Sequence, residues 1–199
     1  MKHVVKDELR HKTMYELFFR HRNTLVDMFY MALGAAVLAG LSQIRIPLWP
    51  VPITMQTFGV FLIAFFFGSR KGALTLLLYM LAGILGLGVF AGRSSGMDVI
   101  LGASGGYIIG FLVAAYAVGH LIEKGAGRTK KSIFGCLLLG NGIIYALGLI
   151  GLWVTFPNES FLQILKWGIF PFLIGDLIKI LGAMALFPAL WKAGEKMHG

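Results

Sequence analysis

The sequence predicts an all-α membrane protein with six transmembrane helices in one compact bundle, and three observations carry that prediction. Of the 199 residues, 57% are hydrophobic and only 14% are charged, where a soluble domain has about 25% charged. The apolar residues gather into runs near 26–44, 53–69, 72–91, 99–121, 132–156 and 161–191, each close to the ~20 residues that cross ~30 Å of hydrocarbon as a helix. Glycine supplies 27 residues without a Gly-X-Y period, which excludes collagen and favours helices in close contact.

Residues 1–24 are polar and basic, with Lys2, Lys6, Arg10, Lys12, Arg20 and Arg22 interleaved with leucine and aromatics. They are expected to form a cytoplasmic or interfacial arm lying on the membrane surface. A cleaved signal peptide is the rival reading, but so long a charged lead followed by further apolar runs argues for retention. Residues 25–199 then make up the membrane domain. Its first span carries Ala32, Ala36 and Gly40 at every fourth position, either for packing within the bundle or as a docking face for a partner membrane protein. The connection Arg45 to Thr57 holds Pro47, Pro50 and Pro52 and reads as a stiff loop, with Trp49 suited to the membrane interface.

The second span is short and aromatic (Phe58, Phe61, Phe65, Phe66, Phe67), so it is expected to tilt little or to embed partly. Span four repeats the small-residue spacing in Gly102, Gly106 and Gly110. The long sixth span has Pro171 near its start, where a missing N–H costs least or a kink forms. Orientation follows from the cations, since short cytoplasmic loops retain Lys and Arg. Alternate connections place fourteen on one side and three (Arg45, Arg93, Lys166) on the other, with Lys179 inside the last span. Both termini are therefore expected in the cytoplasm of a cell (inner) membrane protein, and the loops after spans one, three and five outside.

Several function classes fall away. The formal charge of +9 does not indicate nucleic acid, because the cations sit in short segments between apolar runs and not along an aromatic-bearing face. The one cysteine, Cys136, allows neither an intrachain disulfide nor a cysteine metal cluster, and no metal or cofactor site is read. There is no Walker A pattern, no His-Glu-x-x-His and no carboxylate pair within a span, so ATP hydrolysis would have to come from a separate subunit. Gly102-Ala103-Ser104-Gly105 resembles the nucleophile motif of rhomboid intramembrane proteases. That chemistry needs a base beside the serine, and span six has no histidine; the five are His3, His11, His21, His120 and His198.

The strongest functional signal is Asp176 with Lys179, embedded in Phe170-Pro171-Phe172-Leu173-Ile174-Gly175-Asp176-Leu177-Ile178-Lys179-Ile180. Their i,i+3 spacing puts them on one helix face. Charges at that depth cost at least ~2.5–3.5 kcal/mol apiece, so they face a cavity or a partner. Two readings follow, a structural ion pair or a ligand site. Arg93 in the third connection offers a fork for a carboxylate, or else a solvated loop cation. Gln56 offers an amide where the chain re-enters the membrane, and Tyr107 stands at the head of span four. Loops 45–56 and 91–98 are the candidate lids.

Three segments taken together, Val51-Pro52-Ile53-Thr54-Met55-Gln56-Thr57, Leu101-Gly102-Ala103-Ser104-Gly105-Gly106-Tyr107-Ile108-Ile109-Gly110-Phe111 and Pro171 through Lys179, resemble the BioY family, the biotin-binding S components of energy-coupling-factor transporters. The resemblance covers about residues 26–190. It implies six membrane helices, capture of biotin from outside, and delivery with a coupling transmembrane subunit and two ATPases; members without an obvious dedicated module imply a solitary transporter as the alternative. It assigns biotin contact to Asp176 and Lys179 and partner docking to Ala32, Ala36 and Gly40, where Gly40 stands in place of the family's alanine. The third connection, with Arg93-Ser94-Ser95 and Met97-Asp98, is less glycine-rich than the family's. With biotin as the guest that the resemblance implies, Asp176 would accept from its ureido N–H, and Arg93 or Lys179 would hold its carboxylate.

Overall fold

A computed structural model describes residues 11–19 and 23–196. The arm expected over residues 1–24 is therefore described in part, since 1–10 and 20–22 lie outside these residues. Its described part is more than a surface coat. Thr13 caps a short helix, α1 (Met14–Phe18), through a reciprocal box with Glu16, and Met14, Tyr15 and Leu17 are fully buried. Tyr15 packs against Phe66 and Phe67 and donates to Asp27 Oδ1 at 2.6 Å, so amphipathic residues that suit an interface here close one end of the bundle.

Five helical stretches are long and apolar enough to cross a membrane: Thr24–Gln43 (α2), Gln56–Ile84 (α3), Gly105–Glu123 (α5), Lys130–Thr155 (α6), and Phe161–Lys196, made of α7 (Phe161–Gly168) and α8 (Phe172–Lys196). A straight α3 of 29 residues would be about 44 Å long. Instead it turns back at Gly68, whose φ of 77° and ψ of −163° are not helical; a glycine tolerates that conformation without strain. The reversal brings Gln56 Nε2 to 2.7 Å from the Tyr79 hydroxyl. Beyond the break, Ser69 starts the second arm, and Glu123 accepts its N–H at 2.7 Å and its hydroxyl at 2.9 Å, which satisfies a helix-start donor with an anion.

Two of the expected spans are interrupted. Span four divides into α4 (Met97–Leu101) and α5, with Gly102 to Ser104 between them. The last run divides at residues 169–171, where Pro171, lacking an N–H, immediately precedes the first helical residue of α8. Between α2 and α3 the proline-rich connection forms a two-residue hairpin, β1 (Arg45–Ile46) against β2 (Ile53–Thr54), with Arg45 opposite Thr54. Pro47, Pro50 and Pro52 lie in the turn between the strands, where no ladder donor is required.

Packing centres on α3 and α5, with α6 on the far side of α5 and α2 against α3. The core is aromatic and aliphatic, including Phe65, Tyr79, Phe111, Ile144 and Phe187. At the α1 end, Arg128 lies 3.6 Å over the Trp191 ring and donates to the Lys12 carbonyl at 2.7 Å, while Trp191 Nε1 donates to the Gly127 carbonyl at 2.9 Å. Three separate stretches of chain are thereby tied together. The opposite end is built differently, around polar groups and a cavity.

Candidate ligand-binding site

One helical turn separates Asp176 from Lys179 on α8, and both side chains point into the bundle; Asp176 is 5% exposed. Lys179 Nζ donates to Asp176 Oδ1 at 2.8 Å and to Thr57 Oγ1 at 2.9 Å. Thr57, in the first turn of α3, donates its own hydroxyl to Oδ1 at 3.2 Å, and Tyr145 of α6 donates to Oδ2. Three elements thus converge on one carboxylate. A buried charge is costly unless it is paired and hydrogen-bonded, and here the pair and two hydroxyls meet that demand.

The pair does not fill its surroundings. It forms part of the wall of a cavity of about 330 Å³, which the hairpin, the segment 90–104 and helices α5, α6 and α8 complete. Val51, Phe90, Ile108, Phe111, Ile144 and Phe172 supply apolar wall, and Thr54, Gln56, Ser104 and Tyr107 supply polar points. A mostly apolar cleft of this size with a few directional groups is the usual form of a small-molecule site.

The hairpin that forms part of this wall is fastened in place. Trp49 sits against Phe156 and Trp167, with ring centroids 5.6 Å and 4.8 Å away. Gln56 is held by Thr54 Oγ1, which donates to its Oε1 at 2.9 Å, and by the Tyr79 hydroxyl. Tyr79 in turn donates to the Val89 carbonyl at 3.0 Å, which also accepts from Ser42 Oγ at 2.6 Å. One relay therefore joins α2, both arms of α3 and the connection that follows.

The cavity brings together Asp176, Lys179, Gln56 and Tyr107, although the Tyr107 hydroxyl is already donated to the Gly168 carbonyl at 2.8 Å. Arg93 is not on the wall. It is exposed, has a φ of 60°, and is tied by its N–H to Gln43 Oε1 at 3.0 Å, while Phe90, Ala91 and Ser94 form the wall at that turn and the arginine on it is Arg45. Ala32, Ala36 and Gly40 lie outside the site, exposed on α2. Ser104 does line the cavity, but the described histidines are remote from it: His120 near the far end of α5, and His11 bonded beside it to the Glu123 carbonyl. His3, His21 and His198 lie outside the described residues. Among the described residues no cluster of three His, Cys, Asp or Glu side chains could hold a metal ion.

Tyr145 and Arg45 are the wall residues that sequence reasoning passed over. A tyrosine within an apolar run reads as ordinary core, and an arginine beside prolines reads as a loop cation. The one available signal for Tyr145 was a hydroxyl at membrane depth, which needs an acceptor when buried.

Fold and site define a class: a helical membrane protein with a polar-tipped cavity for a small solute. The BioY family model matches residues 12–196, and the chain belongs to the BioY family. The biotin transporter BioY of Thermotoga maritima is 41% identical over 143 residues, covering 70% of this chain and 80% of that protein. A probable biotin transporter BioY of Pyrococcus horikoshii is 36% identical, covering 80% of this chain and 93% of its own. A crystal structure of the S-component for biotin from an ECF-type ABC transporter superposes with a TM-score of 0.75 at 25% identity, covering 86% of this chain and 95% of that one. The family is one of transporters and not of enzymes, which removes the protease alternative.

Proposed function

We propose that this protein takes up biotin, capturing it from the outward face and delivering it across the cell (inner) membrane. The observation that carries this reading is a buried, ionically paired carboxylate on the wall of a cavity with both apolar and polar lining. Biotin is an apolar fused bicycle with ureido N–H donors at one end and a valerate carboxylate at the other. Asp176 accepts from a ureido N–H, Lys179 and Tyr145 hold Asp176 in place, and Gln56 and Tyr107 border the rings. The relatives and the S-component described above support the choice of biotin.

Counting the two arms of α3 as separate passes gives six, with both termini in the cytoplasm and the hairpin end outside. Residues 1–24 are then a cytoplasmic segment whose α1 docks on the membrane domain of residues 25–199. Energy comes from a coupling transmembrane subunit and ATPases of an energy-coupling-factor module, docked on the exposed Ala32, Ala36 and Gly40 face of α2. Uptake that persists without any such module would replace this with a solitary mode.

Binding of labelled biotin to the purified protein tests the site. Asp176→Asn is expected to weaken binding by about 100-fold, the scale of hydrogen bonds to a charged group, and to lower the melting temperature, since Lys179 loses its counter-ion, while a cooperative melt shows that the protein still folds. Unchanged affinity would reject the assignment of Asp176.

A further inference from the structure

Within the biotin-uptake reading, one end of the guest still lacks a partner: its carboxylate. The charged groups on the cavity wall are Asp176, Lys179, Arg45 and Asp98. Lys179 is committed to Asp176 and Thr57, and Asp98 would repel an anion. The Arg45 side chain has neither an ion pair nor a hydrogen bond among the described residues.

Its position is built rather than incidental. Strand pairing sets Arg45 opposite Thr54, two residues before Gln56, so the hairpin delivers it to the wall of the cavity. The guanidinium then lies flat on the backbone of Gly92: a Cβ added there would sit 2.6 Å from Cζ and 2.7 Å from Nη1. Gly92 has φ +72°, so the turn needs glycine twice, for its backbone angle and for the contact. Arg45 remains exposed, and its planar pair of donors matches two carboxylate oxygens.

We infer that Arg45, and not Arg93, receives the carboxylate of the guest, and that this contact makes the site select acids over their neutral analogues. Asp176 and Arg45 then read opposite ends of one molecule. The hairpin carrying Arg45 also carries Trp49, whose contacts with Phe156 and Trp167 hold the strap that positions the arginine.

Competition of biotin and biotin methyl ester against labelled biotin on the purified protein tests the assignment. The wild-type protein should prefer the acid by about tenfold or more, the scale of a charge-assisted hydrogen bond. Arg45→Gln should weaken biotin by about that factor while leaving the ester within about twofold, which collapses the preference; Arg45→Lys should keep part of it, and Arg93→Gln should keep all of it. A preference that survives Arg45→Gln, or disappears in Arg93→Gln, overturns the inference. So does loss of both ligands in Arg45→Gln, because a carboxylate partner has no role in binding an ester. A wild-type protein that binds both ligands equally overturns this inference alone, whereas one that binds neither contradicts the uptake reading itself.

Discussion

Ala32, Ala36 and Gly40 of α2 and Gly106 and Gly110 of α5 obey the same small-residue spacing, yet the bundle uses them in opposite ways. A Cβ on Gly110 would lie 3.0 Å from the Ile144 Cα, and one on Gly106 would lie 3.0 Å from the Gly151 Cα. These glycines let α5 and α6 touch backbone to backbone. On α2 the spacing faces outward, and Gly40 has nothing within 4 Å of where its Cβ would be. The surrounding burial agrees: 56% of the most apolar window of α5 is buried against 17% for α2. A stripe of small residues therefore marks a place for close approach without saying whether the neighbour is part of the same chain.

Substitutions sharpen that contrast. The largest effect is expected for Gly106→Leu, where the side chain must displace the backbone of α6; overpacking on that scale costs about 3 kcal/mol, read as a large drop in thermal stability and in recovered monodisperse protein. If Gly106→Leu instead melts like the wild type, the α5–α6 contact is not as close as described. Ala36→Trp on the open face is expected to leave the melting temperature and biotin affinity unchanged within about twofold, since surface changes away from packing are usually small. Under the proposed docking it should still stop ATP-dependent uptake in cells supplied with an energy-coupling-factor module; normal uptake would remove the docking role from α2. The smallest effect belongs to Gly40→Ala, which adds a methyl into open space and should shift stability by no more than about 1 kcal/mol, in the stabilising direction. A clear destabilisation would mean that Gly40 is packed after all.

The membrane class and the approximate runs were legible because hydropathy over twenty residues is a strong, local signal. The turn at Gly68 falls where the runs 53–69 and 72–91 separate, at Ser69-Arg70-Lys71. What local hydropathy did not show is the long-range cap, Glu123 of α5 on Ser69, or the interruptions at residues 102–104 and 169–171. In the site, Asp176 and Lys179 stood out because charge at membrane depth is costly. Arg45 and Arg93 both read as loop cations in one dimension; only the hairpin register and the turn at Gly92 separate them in space. Tyr15 and Leu17 read as interfacial for the same reason, since amphipathicity alone does not tell a lipid surface from the end of a bundle.

Biotin capture as proposed rests on the Asp176 carboxylate accepting hydrogen bonds from the ureido group. Its most direct measurement is the affinity of wild-type and Asp176→Asn protein for biotin and for an analogue methylated at both ureido nitrogens. Methylation should cost the wild type about 100-fold and Asp176→Asn far less. Equal losses in the two proteins would contradict it.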